Sequence, residues 1–138
     1  STEEEVFLAV QRAASELNQG IAELLKGEGI TAPQYNVLRI LRGAGETGLA
    51  CREVGERLVT RDPDVTRLLD RMETQGLIVR ARDSVDRRIV TTRITATGRE
   101  LLARLDEPVA ELHSRQLGHL GPTKLRKLLE LLEEARAF

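Results

Sequence analysis

The chain has 138 residues, enough for one domain of ordinary size or one protomer of an oligomer, and its 41% hydrophobic content supplies a core that is aliphatic because aromatics make up only 2%. So few aromatics exclude a single-strand binder that stacks bases, one cysteine excludes an intrachain disulfide or a cysteine-rich zinc site, and a net charge of −1 gives no overall sign of a nucleic-acid partner. The acidic opening STEEEV and the short apolar run VFLAV fall far short of the roughly 18 residues of a membrane span, so a soluble, cytoplasmic protein with no membrane association is expected.

The first helix is expected over about Glu3–Lys26. Phe7, Val10, Ala14, Leu17, Ile21, Leu24 and Leu25 keep one apolar stripe along it, and Gly27 and Gly29 end it. A helix of this length in so short a chain calls for a partner outside its own compact domain. Thr31–Gln34 reads TAPQ, a capping box with Thr31 at the N-cap, Gln34 reaching back and Pro33 in the first turn. It opens a second helix, about Ala32–Arg42, whose Val37, Leu38 and Leu41 face inward, followed by a glycine-rich turn from Gly43 to Gly48. A third, short helix is expected over about Cys51–Leu58, with Cys51, Val54 and Leu58 on one face. Gly55 inside it costs on the order of 1 kcal/mol relative to Ala, which points to close helix packing. Cys51 on that face reads as a small buried hydrophobe, because a reactive thiol needs exposure and a lowered pKa.

The next helix is expected over about Pro63–Gln75, with Asp62 as its cap and Pro63 in its first position. Val65, Leu68, Leu69 and Met72 recur at i, i+3, i+4 and i+7 and form its inner face, and Gly76 ends it. Arg67, Asp70, Arg71 and Thr74 fall elsewhere. The plain reading of those charges is intrahelical ion pairs worth about 0.2–0.5 kcal/mol each; Asp70 is expected to be structural, and Arg71 either that or a phosphate contact. Period-2 alternation over Leu77–Arg82 and the β-branched run Ile89–Ile94 then make a hairpin whose tip, Asp83–Arg88, is charged and has no glycine. From Arg61 to Arg93 there are eight arginines and no lysine against six acids. The all-arginine composition matters more than this small excess, because a guanidinium fork binds phosphate or guanine bidentately and fits a narrow minor groove.

Thr95 is the expected N-cap of a long helix with Gly98 in its first turn, running through Leu101, Leu102, Leu105, Val109 and Leu112 and kinked at Pro108. Gly118–Pro122 interrupts it, and a final helix from Pro122 or Thr123 carries Leu125, Leu128, Leu129 and Leu132. His113 and His119 do not stack on one face as metal ligands four apart would. With no nucleophile beside a base and no phosphate loop, neither metal, cofactor nor enzymatic activity is expected. Three short helices followed by a hairpin is the order of a winged helix-turn-helix. The expected fold is therefore mainly α with a small β-hairpin wing and about six helices. It forms a single domain over 1–138, with a lobe over about 32–95 and dimerising terminal helices over about 3–26 and 96–137.

LLDRMETQGLIVRARDSVDRRIVTTRITATGRELL closely resembles the corresponding part of the MarR (multiple-antibiotic-resistance) family of transcription regulators, and TAPQYNVLRIL resembles its second helix. The matching motifs are an LLDRLE-like recognition helix, GL at the turn, an arginine at the strand, DRR in the wing, and IT followed by glycine. The resemblance implies a homodimer on a roughly palindromic double-stranded DNA, recognition helix in the major groove and wing in the minor groove. Many members are repressors released by small phenolic or other aromatic effectors. Some sense oxidants through a cysteine near the first helix, where this chain has none. Residue by residue, Asp86 and Arg88 match the wing motif in which arginine enters the minor groove and aspartate holds it, and a narrow A·T-rich groove attracts arginine. Arg87 matches a phosphate or groove contact, and Thr66 and Arg67 match positions facing base edges or phosphate. The expected DNA-contacting set is Arg61, Pro63, Asp64, Thr66, Arg67, Arg71, Asp86, Arg87 and Arg88. Asp62 and Asp64 depart from the commoner small, hydroxyl-bearing opening of this helix and would repel phosphate unless they cap it or accept from a cytosine amino group. Together with the near-neutral net charge they motivate an alternative, a winged-helix protein-interaction module without DNA binding.

Overall fold

Capping chemistry sets the helix boundaries in the computed structural model, which describes residues 1–138. The helices are α1 (Thr2–Lys26), α2 (Ala32–Ala44), α3 (Cys51–Arg57), α4 (Val65–Thr74), α5 (Ala96–Leu117) and α6 (Gly121–Ala135). The strands are β1 (Leu49–Ala50), β2 (Ile78–Arg82) and β3 (Val90–Ile94). The capping box opening α2 is complete: Gln34 N–H donates to Thr31 Oγ1 at 3.3 Å and Thr31 N–H to Gln34 Oε1 at 3.1 Å. Thr95 serves two elements, donating its hydroxyl to Gly76 O at 2.7 Å and accepting the Gly98 N–H of α5 at 3.1 Å.

Helix α4 corrects one expectation. It starts at Val65, two residues later than Pro63, and its N-cap is Asp64, whose Oδ1 accepts the Arg67 N–H at 3.0 Å. Asp62 makes a separate turn by accepting the Asp64 N–H at 2.8 Å. Pro63 lies between the two, outside the helix; both acids satisfy the same local rule for a cap, and Asp64 takes the role. The helix ends as expected at Gly76, with φ of 76°. Leu77 N–H bonds back to Met72 O and Gly76 N–H to Glu73 O, which satisfies the terminal carbonyls.

The sheet is antiparallel with order β1-β3-β2; Ile78 pairs with Ile94 and Arg82 with Val90 along the hairpin, and Leu49 pairs with Thr92 at the other edge. Strand β1 occupies the two residues between the expected turn, Gly43–Gly48, and the expected third helix, for which no element was expected. Gly48 makes room for it: φ is 67°, and a Cβ there would lie 2.5 Å from Thr92 O. Gly55 packs as expected, since a Cβ on it would meet Val65 Cγ2 of α4 at 3.2 Å. Cys51 is only half-buried, at the first position of α3, unlike the buried Val54 on the same stripe. Helix α5 continues through Pro108, which lies inside it.

The chain divides into two compact units, Ala22–Asp106 and Ser1–Ile21 with Glu107–Phe138. Leu25, Val37, Leu38, Leu41, Val54, Leu69, Met72, Ile78 and Leu102 are fully buried in the first and form its aliphatic core. Thr92 is buried there too, its hydroxyl without a partner. In the second unit Gln116 Nε2 donates to Leu17 O at 3.2 Å, and Gly20 leaves the space that this side chain crosses. Val6, Phe7, Leu8 and Val10 of α1 and Leu128, Leu129, Leu131 and Leu132 of α6 are between 38% and 60% exposed. No helix is long and apolar enough to cross a membrane.

Candidate nucleic-acid interface

At the wing tip, aspartates replace the glycine that such a turn usually needs. Asp83 Oδ1 accepts the N–H groups of Val85 (2.7 Å) and Asp86 (3.1 Å), Asp83 N–H donates to Ile89 O at 2.8 Å, and Ile89 N–H to Asp86 O at 3.0 Å. The loop is thus closed twice. Within it Arg88 lays its guanidinium on Asp86 in bidentate fashion, Nε to Oδ1 and Nη2 to Oδ2, both at 3.0 Å, and Asp86 Oδ1 also accepts the Arg88 N–H. Arg88 is 90% exposed in its side chain and Asp86 35%. The guanidinium beside it, and then the backbone amide, hold the Asp86 carboxyl below its ordinary range, and the carboxylate raises Arg88 in turn. Arg87 is exposed, its carbonyl accepting from Arg82 Nη1 at 2.8 Å and its side chain unpaired.

On α4 the apolar face is buried through Leu68, Leu69 and Met72, which turns Thr66, Arg67, Asp70, Arg71 and Thr74 outward. Intrahelical pairing does not use up these charges. Asp70 leaves the helix to pair with Arg80 of β2, whose guanidinium also bonds Glu73 at 3.0 Å while the Arg80 N–H donates to Glu73 Oε2 at 2.9 Å. Asp70 is structural, as expected, its ion pair being with Arg80. Glu73 is held below its ordinary range by these bonds from Arg80, and Arg80 is raised, first by Asp70. Arg67 and Arg71 form no ion pair and line a groove of about 520 Å³ with Gly29, Thr31, Gln34, Asp70, Thr74 and Gln75. Arg61 and Pro63 are exposed ahead of the helix and outside that groove, and Asp64 is spent on its cap. No cluster of His, Cys, Asp or Glu is placed to hold a metal.

Sequence reading missed two residues that shape this surface. The Arg80 clamp carried a signal, an arginine at the first strand beside acids at i−7 and i−10, but the pairing needs the helix–strand turn to be known. Gln34, whose Nε2 donates to Gln75 Oε1 at 2.9 Å, carried none beyond its capping role.

The profile of the MarR family matches residues 28–89, the part that holds α2, the helix-turn-helix and the wing tip. A MarR transcription factor from Planctomyces limnophilus is 38% identical, with 96% of each chain covered and a TM-score of 0.76. The chain belongs to the MarR family. MarR-family proteins are transcriptional regulators, and a further relative, the HTH-type transcriptional regulator TtmR of Methylorubrum extorquens, is 37% identical over 77% of this chain. The match spans about half of TtmR, 53% of its length. A mutant of MarR itself, from E. coli and complexed with operator DNA, shares the fold at a TM-score of 0.86 and 23% identity, covering 95% of this chain and 93% of that one. The winged helix-turn-helix read from the sequence is the fold of these MarR structures.

Proposed function

We propose that the chain is a homodimeric, sequence-specific DNA-binding regulator, a repressor that reads a roughly palindromic duplex with α4 in the major groove and the wing in the minor groove. The bidentate Asp86–Arg88 pair carries this reading: a fully charged fork is held outward on a closed loop, in the form a narrow groove attracts. On α4, Thr66, Arg67 and Arg71 offer donors to base edges and phosphates, Arg87 adds a phosphate contact, and Arg61 lies beside them in sequence. That the E. coli protein of the same fold is complexed with operator DNA supports DNA as the partner. The two compact units supply the two tasks, Ala22–Asp106 the DNA and the terminal segments the partner protomer. Release by a small aromatic or phenolic effector, action in the cytosol and the absence of enzymatic activity complete the reading.

The interaction-module alternative had two motives, the acids at the leading end of α4 and the near-neutral net charge; the first is answered, because Asp62 and Asp64 each have an oxygen committed to a backbone amide. The test is fluorescence anisotropy with a duplex selected from random sequence, titrated with salt. Arg88→Ala is expected to weaken binding by about 1–3 kcal/mol and to reduce the salt slope by about one unit. Unchanged affinity and slope would remove the wing from the interface.

A further inference from the structure

Gln34 is 6% exposed, and every bond its amide makes joins two elements or caps one. Its Oε1 takes the Thr31 N–H at the start of α2, and its Nε2 donates to Oε1 of Gln75, the C-cap of the recognition helix. The other holds on that end of α4 come from the wing side: Arg80 on Asp70 and Glu73, and Thr95 on Gly76. Among the hydrogen bonds on that end, only the one from Gln34 reaches the corner where α1 ends and α2 begins, a corner closed by Ile30 N–H on the carbonyl of the fully buried Leu25.

We infer that Gln34, through Gln75, is a positioning residue that sets the angle at which the recognition helix meets DNA. The inference rests on the DNA-binding reading above. Helix α4 has ten residues, so it is about 15 Å long, and a rotation of about 4° about its C-terminal end carries Thr66 through about 1 Å. That displacement exceeds the spread of a good side-chain-to-base hydrogen bond. The amide pair is well suited to hold an angle. It is a short, directional contact at the pivot, one partner is fixed by burial and by the capping box, and the other closes the helix it controls.

The test is a double-mutant cycle on DNA affinity, using the selected duplex and the full chain at a temperature where all variants are folded. Gln34→Glu keeps the acceptor for Thr31 and lets the Gln75 amide turn to donate; Gln75→Glu keeps the acceptor for Gln34. Each single variant thus retains the bond and reports only the effect of an added charge near phosphate. Together they place two carboxylates where the amides met. The double variant is expected to lose at least about tenfold more affinity than the product of the single effects, with the salt slope unchanged from that product. Single effects that multiply to the double, or a loss that follows the unfolded fraction alone, overturn the inference. Should the double variant fail to fold, Gln75→Ala decides, because it trims an exposed side chain: several-fold weaker binding at an unchanged melting temperature supports the positioning role, and wild-type affinity overturns it. A wild-type chain that binds no selected duplex defeats the DNA-binding reading itself, a result distinct from either.

Discussion

Asp86 faces Arg88 across a contact that is worth little to folding and much to presentation. Both groups lie at the surface, where an ion pair adds little stability. Asp86→Ala is therefore expected to leave the unfolding midpoint unchanged while weakening duplex binding, by less than the about 1–3 kcal/mol of removing Arg88 itself. The pH dependence follows from the direction of the shift. A carboxyl depressed by its partner is ionised above its ordinary value, and the contact is lost only as pH falls through the lowered one. Between about pH 5 and 8 the affinity ratio of Asp86→Ala to wild type is thus expected to stay flat, measured by anisotropy at constant ionic strength; a ratio that changes through neutrality would mean that another group holds Arg88. Asp64 teaches a related lesson at this scale. An acid at the leading end of a helix proposed to read DNA looks repulsive in a sequence, and is instead the residue that starts the helix.

Among the elements, the helices and the hairpin were legible because their periodicities are local: the inner faces of α2 and α4, the TAPQ box, Gly76 and Thr95 all act within a few residues of themselves. What escaped depended on distant partners. Strand β1 has two residues and exists only because Thr91 and Thr92 of β3 lie beside it. Gln34 and Gln75 are 41 residues apart. The start of α4 was misplaced because Asp62 and Asp64 satisfy the same local rule. Two of the helical glycines, Gly98 and Gly55, separate packing from propensity. Gly98→Ala gains about 1 kcal/mol of helix propensity but places a Cβ 2.5 Å from Leu77 O, a backbone atom, and 2.8 Å from Ile94 Cγ1. Overpacking of that kind costs about 1–3 kcal/mol, so a net loss of stability is expected in urea denaturation. Gly55→Ala meets only Val65 Cγ2 at 3.2 Å, on a half-buried side chain able to give way. There the two terms nearly cancel, and the midpoint is expected to stay within about 0.5 kcal/mol of wild type.

For the molecule as a whole, the apolar side chains left open on α1 and α6 are more than a soluble monomer of this size usually tolerates. Association that covers them makes stability a function of concentration. The melting temperature is expected to rise with protein concentration, and Leu129→Glu to abolish that rise and shift the sedimentation of the chain to that of a monomer; a wild-type melting temperature independent of concentration would exclude the dimer. Such a dimer would carry two wings, each tip closed by Asp83 and Asp86 in the free protein. The entropy of ordering a seven-residue loop from Asp83 to Ile89 is then given up during folding, once, and not at each encounter with DNA. On the proposed reading, arginines held in place before they meet a duplex need little further ordering there, and the association rate would be governed by diffusion and salt.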